Sequence, residues 1–498
     1  MRDLALGIDI GTTSVKAIVV DSVGRIYFEK SIEQNLISIA PNFAEMDANL
    51  FFENTLEVLK DVAKDGLDKR IASIGITGMV PTLIALDENL NPLRYSIQQN
   101  DARAVEEIEY FKKIIDENWY FERTANTINQ QLIFPKWLWL KKHEADVVSK
   151  TKYIMGSYDF VSTKLTNMPH VEENWALESG LFNIRKMDFD DEILSIASID
   201  RSMLPKIVKP NEFIGFLTEE VERLTGFNSG VPIIGGSADH IASTLALGLV
   251  EEGDLLLKFG GAGDIMFVSD SLRMDKRLFL DFHDIEGKFV INGCMASSGS
   301  LIKWFMNIIR ETSFDEITEE AFKSNIGANG IITLPYFLGE KTPIFDTKAR
   351  GVIFGLQLFH NRGDIFRSIL ESIVYGFLHH IDVLNEMGLT IKRVFISDGG
   401  AKNPLIRRIT ADAVGLPIKY IKTNPGSSLG VALLSLLSAK LLRDEKEIEN
   451  FLTDYEIIEP DLSNTQKYRE YFSLYKDLYK SLKPLFERLY EIQKTKDV

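Results

Sequence analysis

Two stretches of this chain share one grammar, and together they restrict the fold more than any other feature. The first is Leu6-Gly-Ile-Asp9-Ile-Gly11-Thr12-Thr13-Ser14-Val15-Lys16-Ala-Ile-Val-Val-Asp21, in which two Ile/Val-rich runs flank a small polar turn. Apolar runs of that length around such a break predict a β-hairpin. Gly11 lets the backbone come close to a ligand, and successive N–H groups in such a turn form an anion-binding concavity. Thr12, Thr13 and Ser14 add hydroxyl donors. Asp9 brings a negative charge to the same mouth, which repels a phosphate unless a cation lies between them. The tip therefore reads either as a Mg-nucleotide cradle or, more plainly, as a polar hairpin end.

The second stretch repeats the pattern: Leu256-Leu-Lys258-Phe-Gly260-Gly261-Ala262-Gly263-Asp264-Ile-Met-Phe-Val-Ser-Asp270. With Gly260 laid on Gly11, Asp270 falls on Asp21. Two copies near the starts of two halves predict a duplicated domain holding one nucleotide between two phosphate loops.

A chain of 498 residues is too long for one hydrophobic core, so two domains are expected. The formal net charge of −16 argues against a nucleic-acid surface, which needs a basic face, but leaves room for an anionic ligand in a locally positive site. One cysteine, Cys294, permits no intrachain disulfide and fits a reducing cytoplasm, where it reads as a small apolar residue. The first apolar run is broken by Asp9 and Gly11 and has no basic leader, and no run is long enough to span a bilayer. A cytoplasmic protein with no membrane partner is expected.

Along the chain, a third strand is expected at Ile26–Lys30, a helix over Met46–Gly66, and buried strands at Ile71–Thr77 and Pro81–Asp87. Strand, strand, strand, helix, strand is the order of a ribonuclease-H-like α/β domain. Residues 101 to about 225 read as helices and loops, with Trp137 to Leu140 as core. A strand at Val231–Gly236 leads to Asp239 and a helix at Ile241–Leu249. In the second half a long helix is expected at Ile365–Asn385, and a strand at Val394–Ser397 ends in Asp398-Gly399-Gly400-Ala401. A small-residue helix over Gly426–Lys440 is suited to close packing. The amphipathic C-terminal helix can cover its own domain or a partner, so a homodimer is one expectation. The boundary is placed between residues 248 and 249.

Several phosphate-handling and metal motifs are absent: there is no Gly-x-x-x-x-Gly-Lys-Ser/Thr loop, no His-Arg-Asp and no His-Glu-x-x-His. What remains is a set of separated segments. Asp239 follows Gly235-Gly236-Ser237-Ala238, small residues that leave room for a substrate. A carboxylate there suits a base that takes a proton from an attacking hydroxyl, and equally suits a helix N-cap.

These segments carry a resemblance. The chain resembles the FGGY family of carbohydrate kinases, within the actin-like ATPase superfamily, and most of all its xylulokinase branch. The likeness spans residues 4 to about 440. It runs through Asp9-Ile-Gly11-Thr12-Thr13, Asn100-Asp101-Ala-Arg103, Pro135-Lys136-Trp-Leu-Trp, Gly235-Gly236-Ser-Ala-Asp239 and the second hairpin. It continues with Leu334-Pro335-Tyr336, Gly339-Glu340-Lys341-Thr342-Pro343, Arg350-Gly351, Gly355-Leu356 and Asp398-Gly399-Gly400-Ala401-Lys-Asn403-Pro. It implies an α/β protein with two ribonuclease-H-like domains flanking a catalytic cleft, residues 1–248 and 249–498. It implies ATP and Mg²⁺ as cofactors and a small sugar or polyol as acceptor. Residue by residue, Asp239 is implied as the catalytic base and Asp9 as the Mg²⁺ anchor. Gly11, Thr12 and Thr13 are implied as the first phosphate loop, and Gly260, Gly261 and Ala262 as the second. Gly399, Gly400 and Asn403 would border the adenosine, and Asp101 would bind sugar hydroxyls.

The sequence departs from the family pattern on the acceptor side. Gly78-Met79-Val80-Pro81-Thr82 stands where many xylulokinases have Gly-Gln-Met-His-Gly, so the histidine position becomes Pro81. Gln99 replaces a tryptophan, His240 the asparagine after the base, and Gly261 a threonine of the second loop. Met79, Val80, Pro81, Asp101, Asp239 and His240 are accordingly the candidate sugar-pocket residues. The altered pocket predicts changed specificity more than changed chemistry. D-xylulose is the first expectation for the acceptor, followed by L-ribulose, D-ribulose, gluconate, erythritol and glycerol. A switching ATPase without a sugar acceptor is the alternative of another class.

Overall fold

The computed structural model describes residues 2–423 and 426–494. The chain forms two compact units: one comprises residues 1–250, 280–289 and 425–452, and the other residues 251–279, 290–424 and 453–498. Division by contact thus differs from one cut after residue 248, because two later segments pack with the N-terminal body.

The first unit is built on a sheet whose β1 (Leu4–Ile10) and β2 (Ser14–Asp21) form the first predicted hairpin, with β3 (Ile26–Glu33) antiparallel on its outer side. On its other side β1 runs parallel to strand Ile71–Gly78, which in turn is parallel to Pro232–Ile234 and to the short strand Ser237–Ala238. The near-continuous apolar runs of β1 and Ile71–Gly78 are those of strands buried on both faces. The expected helix is α1, Ala48–Lys64, capped by Asp47, whose side chain accepts the Asn49 N–H. The expected strand at 81–87 shortens to Ile84–Leu86 and pairs with Tyr153–Met155 outside the main sheet.

Helix Gly426–Ser438 is buried along nearly its whole length against this sheet. Small residues permit that approach: a Cβ on Gly75 would lie 2.6 Å from the Ser435 hydroxyl, and one on Gly430 would collide with the Ala242 carbonyl. The close packing anticipated for this helix is therefore met by β1, Ile71–Gly78 and helix Asp239–Ala246.

The second unit repeats the plan. Strands Asp254–Phe259 and Gly263–Ser269 form an antiparallel hairpin, and the first of them runs parallel to Arg393–Ser397, which is parallel to Ile418–Ile421. Helix Arg362–Glu386 is buried along most of its length. The C-terminal helix Leu462–Lys494 lays a stripe of Tyr468, Phe472, Tyr475 and Tyr479 on its own unit, where the Tyr475 and Tyr336 hydroxyls meet at 2.8 Å. Cys294 is half-buried, and burial pushes its thiol up to about 12, far from thiolate reactivity. No helix among the described residues is long and apolar enough to cross a membrane.

Candidate active site

In the first unit the parallel strands bring their carboxyl ends to one edge, the place where α/β sheets present ligand-binding residues. The register is specific: Asp9 pairs with Thr77 and Ile10 with Gly78, while Ser237 pairs with the same Thr77 and Ala238 with the same Gly78. Asp9 and the start of helix Asp239–Ala246 thus stand at one level of the sheet. Ala238, and not Asp239, is the N-cap residue of that helix; Asp239 opens it, and its carboxylate accepts the His240 N–H at 2.7 Å while the side chain stays 40% exposed. The cap reading of Asp239 therefore gives way to an outward-facing carboxylate.

Asp9 is placed differently. Its Oδ2 accepts the Ser427 hydroxyl at 2.7 Å, while its Oδ1 is buried with no hydrogen-bond partner. Burial, and then the negative charge of Asp239, push the Asp9 carboxyl up to about 7. An orphaned buried carboxylate oxygen is costly unless something cationic faces it. The donor chemistry of Asp9 fits a divalent cation.

The tip of the first hairpin is held open by its neighbours. Gly11 donates to the Ser14 carbonyl, and the Gln34 side chain donates to the Gly11 carbonyl at 2.8 Å. A Cβ on Gly11 would come within 3.0 Å of the Ser14 oxygen, so the turn suits glycine. A hollow of about 380 Å³ lies beside it, lined by Thr12, Thr13, Gln34, Asn35, Leu36, Met79, Gln99 and Asn100. Of the candidate pocket residues, Met79 reaches this hollow. Val80 and Pro81 are buried outside its lining. Gln34, Asn35 and Leu36 join it unannounced; the polar pair directly after β3 is the signal that marks them.

Asp101 is 1% exposed, and both its oxygens are taken up internally. Oδ1 accepts the Arg103 backbone N–H and Nε, and Oδ2 accepts the Ala44 N–H and the Arg103 guanidinium. Arg103 is bridged further to Glu45 at 2.6 Å. The fully buried Lys136 ammonium donates to the carbonyls of Gln98, Gln99 and Gln131. This network fixes the segment that carries Gln99 and Asn100 to the hollow. Asp101 itself offers no free oxygen to a sugar hydroxyl.

In the second unit, the loop Gly260–Ala262 lies over the start of helix Gly299–Ile309. The Ser298 and Ser300 N–H groups donate to the Gly261 carbonyl, and Gly299 donates to that of Gly260. Gly399 and Gly400 follow the adjacent strand Arg393–Ser397, with Asp398 at φ 75° turning the chain. A Cβ on Gly260 would lie 3.6 Å from the Asp398 carboxylate, so the two segments meet at the same end of this sheet. Asn403 caps helix Pro404–Val414: its Oδ1 accepts from Leu405 and Ile406, and its amide donates to Thr318. Its side chain thus faces into the fold.

Comparison with known proteins agrees with this architecture. Residues 4–246 match the N-terminal domain of the FGGY family of carbohydrate kinases, and residues 269–439 match the C-terminal domain. A xylulose kinase of Staphylococcus xylosus is 28% identical over 95% of this chain and 99% of its own length. A gluconokinase of Bacillus subtilis is 24% identical over 99% of both chains. The crystal structure of a xylulose kinase from Rhodospirillum rubrum superposes with a TM-score of 0.94 at 34% identity, covering 97% of this chain and all of that one. The chain belongs to the FGGY family of carbohydrate kinases. As a sugar kinase it uses ATP as phosphoryl donor, and the reading as a switching ATPase without an acceptor falls away.

Proposed function

We propose that this enzyme phosphorylates a small neutral sugar, a pentulose such as D-xylulose first, with Asp239 as the general base. The observation that carries the base assignment is the contrast between the two carboxylates at one sheet edge. Asp239 is open to an incoming hydroxyl, whereas Asp9 is tied to Ser427 and keeps one oxygen buried. Asp239 accepts the proton of the acceptor hydroxyl as its oxygen attacks the γ-phosphoryl group. Most of the acceleration then comes from positioning and from charge neutralisation.

Asp9, with one carboxylate oxygen left without a hydrogen-bond partner, would hold Mg²⁺. The ion, when bound, offsets negative charge on the nucleotide phosphates. The backbone at Gly11, Thr12 and Thr13, and at Gly260, Gly261 and Ala262, receives the phosphates, while Gly399 and Gly400 border the adenosine. Asp101 acts as a positioning residue, through Arg103 and the Ala44 backbone, rather than as a sugar ligand.

The lining of the hollow beside Thr12 supports a neutral acceptor. Its polar side chains are hydroxyls and amides, with no lysine or arginine among them. Apart from Thr12 and Thr13, which take the phosphates, Gln34, Asn35, Gln99 and Asn100 offer an acceptor uncharged amides. A coupled ADP-release assay over D-xylulose, L-ribulose, D-ribulose, erythritol, glycerol and gluconate tests this. A pentulose is expected to give the highest kcat/KM and gluconate a far lower one. A preference for gluconate would overturn the neutral-acceptor reading.

A further inference from the structure

Behind Asp239 lies a line of ionisable side chains to which the reaction above assigns no part. His240 Nδ1 stands 3.5 Å from Asp239 Oδ1. On the far side of the same ring, Nε2 stands 3.1 Å from Asp281 Oδ2 and 3.9 Å from Glu178 Oε1. These groups come from three elements: helix Asp239–Ala246, strand Phe279–Phe282 and the end of helix Glu173–Glu178. The last two are locked together, because Asn174 donates to the Phe282 carbonyl at 3.0 Å and accepts the Phe282 N–H at 2.7 Å. Glu172 in turn accepts the Asn174 and Trp175 N–H groups and the Tyr158 hydroxyl. The carboxylates that grip His240 therefore sit on a rigid frame.

We propose that His240 is a positioning residue for Asp239: clamped from behind by Asp281 and Glu178, its imidazole fixes the angle at which the Asp239 carboxylate meets the acceptor hydroxyl. The proposal rests on the reading of Asp239 as the base. A carboxylate at the first position of a helix, two-fifths exposed, has several side-chain orientations open to it. The ring edge at 3.5 Å, together with the backbone N–H of His240 at 2.7 Å, selects one of them. Misplacing a reacting group by about 1 Å is enough to cost on the order of a hundredfold in rate.

The charges agree with a clamp. Burial works against a charge on His240, but hydrogen bonds to Asp239 and Asp281 outweigh it and hold the imidazole well above its ordinary value. Burial, and then the charge of Asp281, push the Glu178 carboxyl well above the usual range. The four acidic groups that act on the ring are Asp239, Asp281, Glu178 and, through its charge, Asp284. The ligand atoms of Glu178, His240 and Asp281 lie within 4.8 Å of one another, a spacing that also suits a metal ion. His240 Nε2 already stands 3.1 Å from Asp281 Oδ2, and this favours the direct contact.

The test uses the full-length enzyme and its best sugar. His240→Gln, whose amide cannot meet both carboxylates at once, is expected to lower kcat by about ten- to a hundredfold, with the KM for ATP unchanged. Glu178→Ala is expected to lower kcat as well, and Glu178→Gln, which keeps the length of the side chain and a polar group beside the ring, to recover most of that loss. His240→Asn serves if the glutamine variant does not fold. A folded His240→Gln enzyme with kcat within about twofold of the parent, beside an inactive Asp239→Asn enzyme, would overturn the proposal. Full activity in Asp239→Asn would instead remove the base reading on which it stands.

Discussion

The Ser427 hydroxyl donates to Asp9 Oδ2 across 2.7 Å, joining two residues 418 positions apart in the chain. This bond is the reason the small-residue helix Gly426–Ser438 matters to chemistry. The helix reaches Asp9 because Gly7 on β1 and Gly75 on the neighbouring strand let its backbone lie almost on the sheet. Packing is thus converted into the placement of one oxygen, and the other oxygen of Asp9 is left without a hydrogen-bond partner.

Ser427→Ala removes a hydroxyl that donates to Asp9 and leaves a buried carboxylate with less support. Losing one partner of a buried hydrogen bond to a charged group costs about 1–3 kcal/mol. The Mg²⁺ concentration for half-maximal rate is expected to change several-fold, with the KM for the sugar held. Titrating activity against Mg²⁺ at saturating ATP and sugar checks this; an unchanged Mg²⁺ requirement would count against Asp9 as the metal anchor.

Gly430→Ala tests the close approach itself. The added Cβ would strike the Ala242 carbonyl, a backbone atom that cannot swing aside. Overpacking of this kind costs typically about 1–3 kcal/mol, and the strain falls on the helix that begins at Asp239. Thermal unfolding of this variant is expected several degrees below that of the parent enzyme. Gly399→Ala is the control: a Cβ there meets nothing within 4 Å, so its midpoint should stay put.

Gly261 stands where the family resemblance leads one to expect threonine, and its surroundings would accept the larger residue. A Cβ there meets nothing within 4 Å, and the position is not among those with positive φ. Gly261→Thr should fold as the parent does and add one hydroxyl donor to the second phosphate loop. One modest hydrogen bond corresponds to a fall of about threefold in the KM for ATP. A raised KM with unchanged stability would contradict the assignment of that loop to phosphate.

Acid should draw stability out of the fold at its buried histidines, while buried carboxyls such as Asp9, Asp159 and Asp284, raised to about 7 or 8, work the other way. His283 Nδ1 accepts the Ile285 N–H while Nε2 meets the Leu249 carbonyl, an arrangement that requires the neutral ring. Burial lowers His283, His170 and His380 to about 4. Such a group binds fewer protons folded than unfolded between about pH 6.5 and 4, so stability is full above that window and is lost as pH falls through it. Urea midpoints of the parent and of His283→Gln should be compared from pH 7 to 4. Relative to its own value at pH 7, His283→Gln should lose less stability, or gain more, than the parent does.

What the sequence made legible follows from what is local. Leu6–Asp21 and Leu256–Asp270 announced themselves because a hairpin is specified by its own two runs and its turn, and both formed as read. Asp239 was visible through the small residues before it. The line from Asp239 through His240 to Asp281 and Glu178 was not, since its members come from separate segments and meet only in the folded unit. The internal network of Asp101 was hidden for a related reason. Its neighbour Arg103 was in view, but Ala44, which donates to Asp101, and Glu45, which accepts from Arg103, lie more than fifty positions away. Segment Leu280–Phe289 carries no compositional sign that it packs with the first unit; Asn174 and His283 hold it there.

The central claim is that Asp239 takes the proton from the sugar hydroxyl, and Asp239→Asn tests it most directly. Sugar-dependent ADP release and ATP binding should be measured side by side in this variant. Removal of a positioned general base is expected to lower kcat by about 10²–10⁴-fold while the Kd for ATP stays within about twofold. Retention of the parent kcat with the best sugar would contradict the account.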